Sequence, residues 1–354
     1  MKRKFAAAGA LGAGLTLIAG AGAGQTPDNQ TTNPDAVFDS PEGWSVPRTE
    51  WGDPDLRGMW PLDLGQTPMQ RPAALGDKAY LTDSEYADAV AEAAAEMGAY
   101  EREDANNEIS TGHWFEYGRV LRQTSLIMEP ADGRIPALTE EGEARKTRMN
   151  SSWGQDTFDS IADFNSLDRC ITRGMPASMI PFPYNNGVEI FQAPGYVVLN
   201  LEMIHETRII PLDGRDPVPG SMETWLGSSV GHWDGDTLVI ETTNFNGDSP
   251  MVIVGPSNQP VPTSEALHVV EHLTLTGPDT MHYEAWVEDP VVLTGGFKLD
   301  FPWRRNADYG AYEYGCHEGN TVVPNYIIST SPRFANGELG MSAGEWIEAN
   351  IPQQ

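Results

Sequence analysis

Cations are scarce in this chain: 22 Lys and Arg stand against 51 Asp and Glu, a formal charge of −29. That deficit argues against nucleic acid or an anionic lipid surface as a partner, because phosphates would be repelled. Cysteine is almost absent, with Cys170 and Cys316 the whole supply, so no Cys-x-x-Cys pair exists. A Gly-rich phosphate loop, a dinucleotide fingerprint and an EF-hand loop are also missing. Nucleotide and redox-cofactor roles are disfavoured, and no cofactor is expected. Beyond the N-terminus there is no apolar run near the roughly 20 residues that a bilayer span needs.

What is present begins with an export signature. Met1-Lys2-Arg3-Lys4 is a basic n-region, Phe5 to about Gly20 is an Ala/Gly/Leu h-region, and Ala19, Ala21 and Ala23 offer small residues for cleavage. Residues 1–23 are expected to be a signal peptide, and the protein to be periplasmic or secreted, with no membrane insertion after cleavage. An oxidising compartment favours a Cys170–Cys316 disulfide, two buried free thiols being the alternative. Chain-entropy models credit a crosslink over a loop of this length with roughly 4–5 kcal/mol.

Residues 24–46 are rich in Asn, Thr, Pro and Asp and read as a disordered linker. Residues 47–168 read as an extended arm followed by a small helical accessory region. Thr82-Asp83-Ser84-Glu85 is expected to cap one helix running to about Arg102, and Leu138-Thr139-Glu140 to start a second through Met149. Residues 169–354 read as a β-rich domain of short, turn-bounded apolar runs, including Gly187–Leu201 and Met203–Leu212. The expected fold is mainly β: an antiparallel barrel or sandwich, with no βαβ alternation.

Several stretches carry a resemblance: Trp51-Gly52-Asp53-Pro54-Asp55-Leu56-Arg57-Gly58, Arg169-Cys170, Gly231-His232-Trp233-Asp234-Gly235-Asp236-Thr237-Leu238, and Cys316-His317-Glu318-Gly319-Asn320. Together with Asp132-Gly133-Arg134-Ile135-Pro136 and Glu288-Asp289-Pro290 they resemble a family of uncharacterised exported bacterial proteins. The resemblance implies export and brings no catalytic assignment. The Trp- and Gly-Asp-containing hairpin is also similar to those of lipocalin-like barrels, at the level of architecture alone.

Two enzyme motifs lack their context. Gly227-Ser228-Ser229-Val230-Gly231 has the spacing of a nucleophile elbow, but a hairpin follows Ser229 where a helix is required. His268-Val269-Val270-Glu271-His272 has a zinc-site order that needs a helix, whereas its β-branched residues favour a strand. On a strand the two imidazoles sit about 13 Å apart, too far to share an ion, so no metal is expected.

The strand reading points to another set. Symmetric pairing about Gly277-Pro278 would set Glu271 opposite Glu284, Leu273 opposite His282 and Val269 opposite Trp286. Two carboxylates and an imidazole on one apolar face would have shifted pKa values suited to acid–base catalysis; a one-residue slip of register would dissolve the set. His205, on the expected Met203–Leu212 strand, and His317, beside Cys316, complete the catalytic candidates. On that strand Glu206 and Arg208 share a face and read as an ion pair. Trp286, Trp303, Tyr184 and Asn185 are the candidate ligand contacts. These residues suggest a cofactor-independent lyase, isomerase or hydrolase acting on a small, largely apolar molecule. The alternative is a non-catalytic, lipocalin-like binding protein for such a molecule.

Overall fold

Alternation of apolar and polar residues decides the second half of the chain. In a computed structural model, which describes residues 38–350 apart from 114, 155, 156, 255–258, 318 and 319, those runs form antiparallel strands. The expected signal peptide and residues 24–37 of the expected linker lie outside the described residues. The arm carries β1 (Gly58–Met59); α1 (Asp83–Met97), α2 (Ala99–Ala105), β2 (Ile127–Glu129) and α3 (Glu140–Lys146) follow. Then come β3 (Val188–Ala193), β4 (Tyr196–Leu201), β5 (Thr207–Pro211), β6 (Ser228–Asp234) and β7 (Thr237–Thr243). A ribbon of β8 (Pro250–Val254) and β9 (Gln259–Pro262) precedes β10 (His268–Gly277), β11 (Thr280–Glu288) and β12 (Phe297–Arg304). The described chain ends in three helices, α4 (Val322–Thr330), α5 (Pro332–Ala335) and α6 (Ala343–Asn350).

One sheet has the order β1-β3-β4-β5 and the other β2-β12-β11-β10-β7-β6. Every pairing in both is antiparallel, so the protein is mainly β as its sequence implies. The inward residues of the larger sheet, among them Val269, Leu273, Tyr283, Ala285, Phe301 and Trp303, are at most 1% exposed. They share one core with Leu56, Trp60 and Leu62 of the arm and with Ile190, Val197 and Ile210 of the smaller sheet. Trp44 and Val46 pack against the same core, so the docked arm begins inside the stretch expected to be linker. A second, smaller core joins Phe158 and Phe164 to Ile327 and Trp346 of the C-terminal helices, which fall within residues 169–354, expected to be β-rich.

Local signals explain the helix ends. Thr82 accepts the Glu85 amide while Glu85 accepts the Thr82 amide, a reciprocal cap for α1. Gly98 divides the expected single helix into α1 and α2. The Cys170–Cys316 disulfide is present, joining residues 146 apart and pinning the segment before α4 to the entrance of the β-rich half.

The expected register of the β10–β11 hairpin is wrong by one residue. Its turn centres on Pro278-Asp279, with Gly277 opposite Thr280, and the register shifts between Leu275 and Gly277. Proline favours the second position of such a turn because its φ is already set. Glu271 therefore faces Ala285, and Glu284 faces His272. Because side chains alternate, the slip sends Glu271 inward and His282, Glu284 and Trp286 outward. The facing set Glu271, His282 and Glu284 does not exist.

Candidate functional site

Glu271 is fully buried and bound to Arg208 from β5, whose Nη1 donates to Oε1 at 3.0 Å while Nη2 reaches Oε2. Tyr283 Oη donates to the same carboxylate at 3.0 Å, and Arg208 also reaches Thr242 Oγ1 at 3.2 Å. Burial opposes the charge on Arg208, but the Glu271 carboxylate raises its pKa above the ordinary value; burial and Glu271 push the Tyr283 phenol up. This is a closed, charge-neutral cluster in the core. The ion pair expected between Glu206 and Arg208 is replaced by this one. Glu206 instead accepts Ser178 Oγ at 3.0 Å, and burial raises its pKa.

The other sequence candidates scatter. His282 Nε2 lies 2.9 Å from Asp300 Oδ1 on the outer face, with Phe38 against its ring. Glu284 joins Lys298 there at 3.3 Å, and Lys298 also meets Asp300 and Glu129. His282, Glu284 and Asp300 are close enough together to share an ion, and the single Lys298 ammonium lies beside both carboxylates at 3.3 and 3.5 Å. Trp286 is exposed on the same outer face, while Trp303 is stacked on Tyr283 within the core. Ser229 and His268 sit in strands, Ser229 Oγ bonded to Thr242 Oγ1 at 2.9 Å and His268 to Glu241 at 2.9 Å. His317 is exposed beside the disulfide.

His205 lies in a tight turn before β5, on no strand. It and the buried Ile204 both have positive φ, 45° and 58°. Left-handed backbone at a β-branched residue is strained and is held only when surrounding packing overrides it. Ile204 packs with Leu167 and Met203 against Phe182, Tyr184 and Tyr314. The strain therefore sits directly behind an aromatic wall.

That wall faces an open pocket of about 700 Å³ lined by His113, Phe115, Glu116, Trp153, Tyr184 and Asn185. Such a volume suits a small organic ligand. Trp153 stacks on Tyr184 at 6.4 Å and meets Phe182 edge-on at 5.9 Å. Tyr184 and Asn185 belong to a loop before β3 that Asn186 clamps: its Oδ1 accepts the Phe182 amide and its Nδ2 donates to the Phe182 carbonyl, both at 2.7 Å. Asn185 has φ 54°, a conformation that asparagine tolerates better than most residues. Burial raises the Tyr184 pKa, with Tyr314 adding to it, so the phenol keeps its proton at neutral pH.

Glu116 is fixed beneath the pocket. It accepts the Asn185 amide at 2.8 Å, Asn186 Nδ2 at 2.9 Å and Tyr309 Oη at 3.3 Å. The same Tyr309 hydroxyl donates to buried Glu202 at 2.7 Å, and Asn185 Nδ2 donates to Glu202 at 3.0 Å. Burial and Glu202 raise the Tyr309 pKa, keeping it a donor shared by two carboxylates.

His113 ends a short turn folded back on α2. Glu103 of α2 accepts the amides of Ser110 and Gly112 at 2.9 and 2.8 Å and His113 Nδ1 at 2.8 Å. The His113 hydrogen bond, helped by those amides, lowers the Glu103 pKa. An ionised carboxylate can only accept, so in the neutral imidazole Nδ1 carries the proton and Nε2 is a base. Nε2 has no partner among the described residues. A side chain at position 112 would press its Cβ to 2.6 Å from the Ala99 carbonyl carbon, so glycine permits this fold-back.

Of the sequence candidates, Tyr184 and Asn185 line the pocket. His113, Glu116 and Trp153 carry no local pattern that marks them; the Glu103–His113 contact spans ten residues without a motif. No family model matches the chain, and no curated protein matches it.

Proposed function

We propose that the pocket between the 111–113 turn and the Tyr184-Asn185 loop is the working site of a cofactor-independent acid–base enzyme of the lyase, isomerase or hydrolase class. It acts on a small molecule held against aromatic faces. The observation that carries this reading is His113, whose Nδ1 is fixed by Glu103 at 2.8 Å beside a pocket of about 700 Å³. A carboxylate-oriented imidazole with a free Nε2 is equipped to take a proton and return it. Asn185 and the neutral Tyr184 phenol supply donors for charge that develops on substrate oxygen.

The enclosing architecture is, in our reading, a lipocalin-like barrel with a filled interior. Two contacts support that: the edge strands β5 and β6 pack together, and Asn306 N donates to the Met59 carbonyl at 3.0 Å just beyond β12, the strand next to the other edge. The disulfide, and the absence of a membrane-spanning helix among the described residues, fit export after signal cleavage and the resemblance to exported bacterial proteins. A second reading, a non-catalytic binding protein, is favoured by the three aromatic walls Phe115, Trp153 and Tyr184.

The two part on one experiment: a panel of ester, hydroxy-acid and enolisable substrates assayed with the wild type and His113→Asn. Loss of about 10²–10⁴-fold in kcat with binding retained supports the enzyme. Turnover unchanged in His113→Asn contradicts it, and ligand binding with no turnover in the wild type favours the binder.

A further inference from the structure

Among the described residues, the lining of this pocket contains a carboxylate and no Lys or Arg. Its walls are the faces and edges of Phe115, Trp153 and Tyr184, with Trp153 42% exposed. Ring faces carry negative electrostatic potential and attract cations, most strongly at Trp. The cluster already does so on its inner side: the buried Arg173 guanidinium lies 4.5 Å from the centre of Phe182, which packs edge-on to both Trp153 and Tyr184.

The ionised neighbours lean the same way. Burial lowers the Arg173 pKa to about 10, leaving it charged at neutral pH, and the charge of Glu206 works against that lowering. His113 is paired with Glu103, so the dyad adds no net positive charge even when protonated. Glu116, and Glu202 behind Asn185, are then left without a cationic partner among the described ion pairs. The chain as a whole, at −29, draws cations toward itself. A ligand anion would meet Glu116 and gain nothing from the ring faces.

We infer that the ligand of this pocket is an organic cation, a quaternary or protonated amine, held by the faces of Trp153 and Tyr184 over the Glu116 carboxylate. This rests on the pocket being the working site and adds the charge of what enters it.

Three probes of one shape isolate the charge: choline, its neutral isostere 3,3-dimethylbutan-1-ol, and the anion 3,3-dimethylbutanoate. Titration calorimetry on the exported chain should give choline at least tenfold tighter binding than the alcohol, and no binding of the carboxylate. Trp153→Leu, at a half-exposed side chain, should weaken choline about tenfold; Glu116→Gln should weaken choline by a larger factor than the alcohol. Equal binding of choline and the alcohol, tighter binding of the anion, or no choline binding at about 50 mM overturns the inference. If the probes bind equally and Trp153→Leu weakens all of them, the pocket stands and its charge preference falls. If a bound probe is indifferent to Trp153→Leu and His113→Asn, the pocket reading itself is wrong.

Discussion

Arg208 and Glu271 meet inside the core with side chains 1% and 0% exposed, a guanidinium and a carboxylate closed off from water by the strands around them. Removing one partner of such a pair leaves an uncompensated buried charge, which costs about 3–5 kcal/mol. Glu271→Ala is therefore expected to lower stability by that amount in urea unfolding. The double variant Arg208→Met, Glu271→Leu should recover most of the loss, since apolar pairs of similar volume are often neutral or better. A single variant within about 0.5 kcal/mol of wild type would refute the structural role.

Reducing the disulfide should matter nearly as much. Cys170 and Cys316 close a loop of 146 residues that holds Tyr314 behind Tyr184 and anchors the start of the C-terminal helical segment. Cys170→Ser with Cys316→Ser should cost about 2–5 kcal/mol and raise susceptibility to proteolysis near residues 312–317. An unchanged thermal midpoint under reducing conditions would contradict this.

Gly112→Ala probes the fold-back that presents His113. The new methyl would sit 2.6 Å from the Ala99 carbonyl carbon and 2.8 Å from the Tyr100 nitrogen, so the turn must open. Overpacking of this kind costs about 1–3 kcal/mol, here confined to the turn and α2. Turnover should fall while the global unfolding midpoint moves little. Equal loss of both would mean that the turn is part of the main cooperative unit.

Acid should loosen α1 from its N-terminus. Lys78 and the Thr82 amide and hydroxyl hold the Glu85 pKa down at about 2, against an ordinary value of 4.5. A depressed carboxyl stabilises the fold fully above its unfolded pKa and loses that contribution as pH falls toward the folded value. Protection of the Glu85 and Tyr86 amides, taken relative to intrinsic exchange, should therefore fall between about pH 4.5 and 2, and Glu85→Ala should abolish that dependence. Protection that stays flat across the window would exclude the Glu85 carboxylate as a source of α1 stability.

The sequence made much of this fold legible. Partial alternation within Gly187–Leu201 marks β3 and β4, the Asp234-Gly235 turn marks β7, β-branched residues mark β10, Thr82 and Thr139 mark two helix starts, and the two cysteines pair. Register was lost because it hangs on one residue: with the shift between Leu275 and Gly277, every partner of β10 moves by one position. Glu271 read as a site residue because a carboxylate on an apolar face is costly alone. Its partner, Arg208, comes from a strand 63 positions earlier, and no local pattern ties the two. The pocket was half visible. Tyr184 and Asn185 are legible as ligand contacts, while His113 reaches Glu103 of α2 through a turn and Trp153 joins the lining from a loop, neither with a period to read.

The proposed function lies at His113, Trp153 and Tyr184 and not on the β10–β11 hairpin. The most direct test takes whichever ligand stabilises the wild type in a thermal-shift screen and repeats its titration on His113→Asn with Trp153→Leu, and separately on His282→Ala with Glu284→Gln. The pocket double variant should lose at least tenfold in affinity or turnover, with the hairpin variant unchanged. Loss in the hairpin variant with the pocket variant unaffected would contradict the account.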